Sequence, residues 1–288
     1  MSTIGWFDRL DERVRLAASA RLRHPQSDLG RAGVRGLPRF PAADTWALVA
    51  SFSRPMAHDH AALRAQVRDS YATPEAIEVY RSRVDHGLRT WEHTVVQQHF
   101  PPTGRVLTVG CGAGRETFAL EQLGYDASGV DISPPLLDVA RQLAAQRHHR
   151  ATFLLIDGDA LPFDDGAFDV VTLWAQMLDN VPSRAGRLAL MREVRRVLLP
   201  GGLASFSVHD DARTRPSYAA GDVLAADSPE PGDLLLREHR EAAVRYCHLF
   251  HRDELTTLVA GAGFTDAVIR HTSDYGETWD NVFVGVCW

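Results

Sequence analysis

Gly110, Gly112 and Gly114 alternate with small residues, and an acid, Asp131, follows them beyond a helical stretch and a second short apolar run. Glycines at that spacing let a main chain turn sharply and approach a ligand with no Cβ in the way. The first amides of a helix beginning near Arg115 would point at whatever lies over the turn. A carboxylate at the carboxyl end of the next strand can accept hydrogen bonds from two ribose hydroxyls. With Ile132 beside that acid, these residues suit a ligand that contains a nucleoside.

Positioning them takes a strand, a tight turn, a helix and a second strand. Val106 to Val109 supplies the first apolar run, and the pattern reads as one βαβ unit. A dinucleotide fingerprint would place its third glycine at Arg115 or Thr117, and neither position is glycine or alanine. What stands here is G-x-G-x-G after V-L-T-V. Thr73-Pro74 opens a helix, Ser133-Pro134 another. Ile77, Tyr80, Val84, Leu88, Trp91 and Val95 step by three or four, predicting one helical stripe that ends at Pro101. Thr152 to Ile156 predicts a third strand, Phe168 to Trp174 a fourth and Leu203 to Val208 a fifth. Ala267 to His271 and Asn281 to Cys287 follow, joined closely enough for an antiparallel hairpin.

In their order, the glycine loop, Asp131, Asp159 within Gly158-Asp159-Ala160-Leu161-Pro162-Phe163, Phe168-Asp169 and Pro200-Gly201-Gly202 resemble the landmarks of the class I S-adenosylmethionine-dependent methyltransferases. The resemblance spans roughly residues 74–288. It implies an α/β fold, a Rossmann-like seven-stranded, mostly parallel sheet with helices on both faces. The cofactor it implies is S-adenosyl-L-methionine, leaving S-adenosyl-L-homocysteine. Gly110, Gly112, Gly114, Asp131 and Ile132 would face that cofactor, and Asp159 and Ala160 would read its adenine. Trp174 would pack on adenine, on the acceptor or in the core. Helices before the loop would lie across the cofactor, offering Tyr80 or Arg83 to its carboxylate. The chain departs from the family at Thr108, where an acid is usual and Glu116 is the nearest substitute. It departs again at Asp179-Asn180, where many relatives carry two histidines.

Methyl transfer from a sulfonium needs orientation and a dry site, and a base only if the acceptor arrives protonated. The acceptor should lie outside the carboxyl ends of the strands. Trp174, Gln176 and Asp179 fall there after strand four, and His209 and Asp210 after strand five, with Tyr246, His248 and His251 further along. His209 is the preferred base because imidazole titrates near neutrality. No metal-ligand constellation is evident, and His148-His149 reads as a solvated helix end. The expected acceptor is a small molecule methylated at O, N or C, in specialised metabolism. An NAD-type oxidoreductase on a related sheet and a non-catalytic cofactor-binding partner remain the alternative classes.

A net charge of −6 argues against a general nucleic-acid binder. Every basic residue among the 31 is arginine, which reads as compositional bias. Cys111, Cys247 and Cys287 form no disulfide framework, and with no membrane-length apolar run or signal segment a cytoplasmic protein is expected. Residues 1–72 read as a helical extension or lid. Eight arginines against four acids in residues 1–40, with Phe7, Leu10 and Val14 at helical spacing, suit packing on the domain or a homodimer contact rather than stable membrane insertion. Residues 73–288 read as the catalytic domain, with 209–245 as an insertion over the active face, in which Arg213 to Pro231 reads as a long loop or insertion.

Overall fold

The computed structural model describes residues 60–158, 160–218, 223–224, 230–237 and 244–288. The expectations for the first 59 residues and for Asp159 lie outside the described residues. Seven strands form one sheet: β1 (Arg105–Val109), β2 (Asp126–Asp131), β3 (Thr152–Leu155), β4 (Phe168–Leu173), β5 (Leu198–His209), β9 (Ala267–His271) and β10 (Val282–Cys287). Their spatial order is β3-β2-β1-β4-β5-β10-β9. All neighbours are parallel except β10, which runs antiparallel to both β5 and β9. The order reverses between β1 and β4, and a doubly wound sheet opens its ligand crevice at that point. The expected seven-stranded Rossmann-like architecture is the one observed.

Helices α1 (His60–Ser70), α2 (Pro74–Arg83), α3 (Thr90–His99), α4 (Arg115–Gln122), α5 (Pro134–Arg147), α6 (Arg184–Val197) and α7 (Arg252–Gly261) surround it. Leu107, Val109 and Val171 pack toward Leu190 and Val194 of α6 and Leu255 and Leu258 of α7. Val106 and Val170 point the other way, into a cluster with Trp91 and Val95 of α3 and Leu120 of α4. Alternate β1 residues therefore serve opposite layers, as strand geometry requires.

Two local expectations need correction. The stripe from Ile77 to Val95 is not one helix, because Gly87 takes a left-handed φ of 61° and separates α2 from α3. The helix start is as expected: Thr73 caps α2 by accepting from the Ala76 amide at 3.2 Å. The stretch 209–245 is also more than a loop. Among its described residues, β6 (Val223–Leu224), β7 (Asp233–Arg237) and β8 (Val244–His248) form a separate antiparallel sheet. Leu234, Leu236, Cys247 and Leu249 give it a small core of its own.

Candidate functional site

The glycine loop is fixed at the crevice by main-chain bonds: the amides of Gly110 and Cys111 both donate to the Val130 carbonyl, at 2.8 and 3.0 Å. Gly110, Gly112 and Gly114 have φ of 73°, 52° and 93°, conformations that L side chains rarely adopt. Asp131 ends β2 and is buried, with Oδ2 accepting from the Gly112 amide at 2.7 Å and Oδ1 from the Ser133 amide at 2.8 Å. Burial raises its carboxyl above the ordinary range, against the pull of those amides. Each oxygen retains a second lone pair for an incoming hydroxyl.

A cavity of about 830 Å³, mouth included, opens over this loop. Ile132, Leu136, Ile156 and Gly158 line its β2–β3 side, and Ala175, Met177 and Asn180 its β4 side. Arg64, Val67 and Tyr71 reach it from α1 and the turn after it, Tyr80 from α2. Tyr71 and Tyr80 meet edge to face at 5.6 Å, and the Tyr71 hydroxyl donates to Asn180 Oδ1 at 3.3 Å. Burial pushes the Tyr80 phenol well up. Most of the exposed wall is apolar, as small-molecule sites are.

The three glycines have different neighbours. A Cβ at Gly110 would fall 2.2 Å from Met177 Cγ, and one at Gly112 3.4 Å from the Tyr80 ring. One at Gly114 would meet Phe118 at 2.8 Å and Phe153 at 3.0 Å. Gly110 and Gly112 line the cavity; Gly114 does not, and its lack of a side chain serves packing beneath the loop.

Other residues singled out by sequence are scattered. Ala160 is exposed, and Arg83 lies over the Tyr80 ring at 5.5 Å without lining the cavity. Trp174 borders the cavity, but its indole is locked in the core. It stacks on Phe100, meets Trp91 edge-on and donates Nε1–H to Ser205 Oγ at 2.9 Å. Gln176 is held on Ser207 by its amide and Nε2, both at 3.2 Å. Asp179 is buried against His209, whose Nδ1 lies 2.6 Å from Asp179 Oδ2 and whose amide also points at the carboxylate. Burial raises the Asp179 carboxyl, opposed by His209. Neither residue lines the cavity, although Asn180 beside them does.

Tyr246 and His248 do not face the cavity either. They sit in a buried ionic cluster with Arg187, Glu230, Asp233 and Glu254. Tyr246 Oη donates to Asp233 at 2.6 Å, and His248 reaches Asp233 at 2.6 Å and Glu254 at 3.0 Å. The Arg187 guanidinium already lies 2.6 Å from Glu230 and 3.4 Å from Glu254, so a cation is in place among these acids. His251 is exposed and paired with Asp211 at 3.1 Å.

Thr108 is buried, its hydroxyl has no hydrogen-bond partner, and it lies off the cavity. Glu116 does not stand in for the usual acid. It is buried beside Arg115, which also grips Glu92 and the Gly87 carbonyl. Burial raises the Glu116 carboxyl. Tyr71, Met177 and Asn180 are cavity residues to which sequence assigned no role. Tyr71 lies far from the loop in the chain, and no periodicity announces such a contact.

Residues 106–202 match the model of a methyltransferase-domain family. The chain is 34% identical over 153 residues to a cypemycin N-terminal methyltransferase of Streptomyces sp., covering 52% of this chain and 58% of that one. It is 35% identical over 124 residues to a ubiquinone biosynthesis O-methyltransferase of Methylococcus capsulatus, covering 42% and 51%. The chain thus spans about half the length of the curated relatives it matches. Among solved structures, the glycopeptide N-methyltransferase MtfA complexed with S-adenosyl-L-methionine aligns over 70% of this chain and 94% of its own, with a TM-score of 0.53 at 19% identity. That likeness is one of fold. Residues 106–202, from the glycine loop through Asp131 to Pro200-Gly201-Gly202, are thus similar to a methyltransferase domain, and they lie in this strand order.

Proposed function

We propose that the chain binds S-adenosyl-L-methionine in the cavity over Gly110 and Gly112 and transfers its methyl group to a small acceptor. One juxtaposition carries this reading. The buried Asp131 carboxylate, held by two amides, faces an apolar cavity whose floor is two left-handed glycines. The residues suit the group. Asp131 can accept from a ribose diol, Ile132, Leu136 and Ile156 offer an apolar slot for a flat base, and the side-chain-free loop admits a close approach. When bound, the cofactor supplies a methyl already activated on a sulfonium.

The rest is the work of this chain's own residues. Tyr71 and Tyr80 line the same cavity as the loop, while Asn180 is fixed between the Tyr71 hydroxyl and the Gln176 carbonyl, 3.2 Å from the latter. His209 does not line the cavity, so as the proposed proton acceptor it would serve an acceptor atom that reaches beyond that lining. With Nδ1–H donated to Asp179, Nε2 keeps a lone pair. The concave, apolar walls favour a small molecule over a polymer. Relatives named for O- and N-methylation, one of them acting on cypemycin, support an O, N or C acceptor in specialised metabolism. A soluble cytoplasmic setting is part of the proposal, supported by the lack, among the described residues, of any helix long and apolar enough to cross a membrane.

Calorimetric titration with S-adenosyl-L-methionine, S-adenosyl-L-homocysteine and NAD tests the reading. The first two should bind and the third should not. Asp131→Ala should weaken binding by about 1.5–3 kcal/mol, the range for hydrogen bonds to a charged group. Unchanged affinity would show that the carboxylate does not hold the ligand.

A further inference from the structure

Met177 is delivered to the cavity by an unusual piece of backbone. Ala175 and Gln176, directly before it, are consecutive non-glycine residues with left-handed φ of 52° and 56°. Such conformations persist only where the surroundings over-determine them. Here the Gln176 amide and side chain are both anchored on Ser207, the Met177 amide donates to the Trp174 carbonyl at 3.2 Å, and Asn180 ties back to Gln176. The result is a thioether side chain pressed onto the bare Cα of Gly110. A Cβ there would lie 2.2 Å from Met177 Cγ and 3.1 Å from its Cβ. Gly110 is therefore glycine on two counts, for its φ of 73° and for the room it leaves to Met177.

The position of that side chain in the crevice has a chemical meaning. β2 lies between β3 and β1, and β4 lies beyond β1. A nucleoside anchored by its ribose at Asp131 must send its base to one side and its 5′ substituent to the other. Ile132, Ile156 and Gly158 would take the base on the β3 side, and the 5′ sulfur would then head toward the ends of β1 and β4. Gly110 and Met177 meet there. Ala175 is too small to set a limit, and the Trp174 indole is locked on Phe100, Trp91 and Ser205. Of these three, the unbranched methionine is the side chain pressed on Gly110 and the one that could limit the room there.

We propose that Met177, braced against Gly110 by the left-handed Ala175–Gln176 turn, is the specificity-determining residue that restricts the sulfonium substituent to a methyl group. The proposal rests on the cofactor reading above. Its test needs no acceptor. Purified wild type, Met177→Ala, Met177→Val and Met177→Leu are titrated with S-adenosyl-L-homocysteine, S-adenosyl-L-methionine and S-adenosyl-L-ethionine, whose sulfurs carry nothing, a methyl and an ethyl.

Wild type and Met177→Leu should bind the methyl compound at least about tenfold more tightly than the ethyl one. In Met177→Ala that ratio should fall to within about threefold, with Met177→Val between and S-adenosyl-L-homocysteine binding retained throughout. Retained homocysteine binding also shows that each variant is folded. A wild type that does not discriminate, or a Met177→Ala protein that keeps the wild-type ratio, overturns the proposal and leaves the cofactor reading standing. Failure of wild type to bind any of the three overturns both.

Discussion

A carboxylate on a histidine changes what that histidine can do, and Asp179 shows this most directly at the scale of single residues. With its Oδ2 2.6 Å from His209 Nδ1, it would favour the imidazole tautomer that leaves Nε2 to play the proposed role. Asp179→Asn is expected to lower turnover by one to two orders of magnitude, with cofactor affinity changed less than about threefold. Its pH–rate profile should differ from wild type, and Asp179→Glu should restore part of the rate. Equal losses of turnover and cofactor binding would mark a structural role. Thr108 is the converse case, a buried hydroxyl without a partner. Thr108→Val should raise stability by about 1 kcal/mol, because an unmade hydrogen bond is replaced by apolar contact. Denaturant unfolding reads this directly, and a loss of stability would mean that the hydroxyl is satisfied in solution.

At the scale of elements, the small β6–β7–β8 sheet is tied to α6 and α7 through charge. Arg187 of α6 and His248 of β8 share Glu230, Asp233 and Glu254, and Arg187 also lies over the Phe250 ring at 5.5 Å. Arg187→Ala should cost about 3–5 kcal/mol, since it breaks a buried ion-pair network and leaves His248 alone among three carboxylates. Burial by itself would lower the His248 pKa, but hydrogen bonds to Asp233 and Glu254 raise it above the ordinary value. Both ring nitrogens face carboxylates, which only the protonated ring can serve with two donors. Burial would raise the Glu254 carboxyl, yet its bond to His248 holds it below the usual range.

The signs then follow from linkage. The His248 contribution is complete below its unfolded pKa of about 6.5 and is lost as pH rises through the higher folded value. The Glu254 contribution is present above its unfolded pKa of about 4.3 and is lost as pH falls through the lower folded one. Hydrogen exchange at β7 and β8 amides should therefore be slowest, relative to the intrinsic rate, between about pH 4.3 and 6.5. It should speed up above neutrality more than exchange in β1 does. Equal acceleration in both sheets would refute the assignment to His248.

For the molecule as a whole, a ligand that binds only the folded state adds to stability by mass action. S-adenosyl-L-homocysteine at a hundredfold excess over its Kd should contribute about 2.7 kcal/mol. For a domain of this size that shift is about 5–10 °C in Tm by calorimetry or thermal shift. NAD should produce none. The opposed layers explain where this crevice lies. With α6 and α7 covering one face and α3 and α4 the other, the open space lies past the carboxyl ends of the strands, where the strand order reverses between β1 and β4.

Much of this was local enough to be written in the chain. The G-x-G-x-G turn, Asp131 at the next strand end, the Thr73 cap and the alternation in β1 each depend on a few neighbouring residues, so the succession of strands along the chain and the loop with its acid could be read directly. Other roles depended on partners distant in sequence, and only packing could assign them. Gly114 looks like its two companions in the chain, yet Phe118 and Phe153 fill the space beside it. Tyr246 and His248 look like acceptor contacts until β7 brings Asp233 against them. Met177 has no local signature at all. Its place over Gly110 comes from two strands that pair across more than sixty residues of intervening chain and from a left-handed turn that no local preference would choose. Short-range conformational preferences can be read along a sequence, whereas the surroundings of a side chain are created only when remote segments exclude water together.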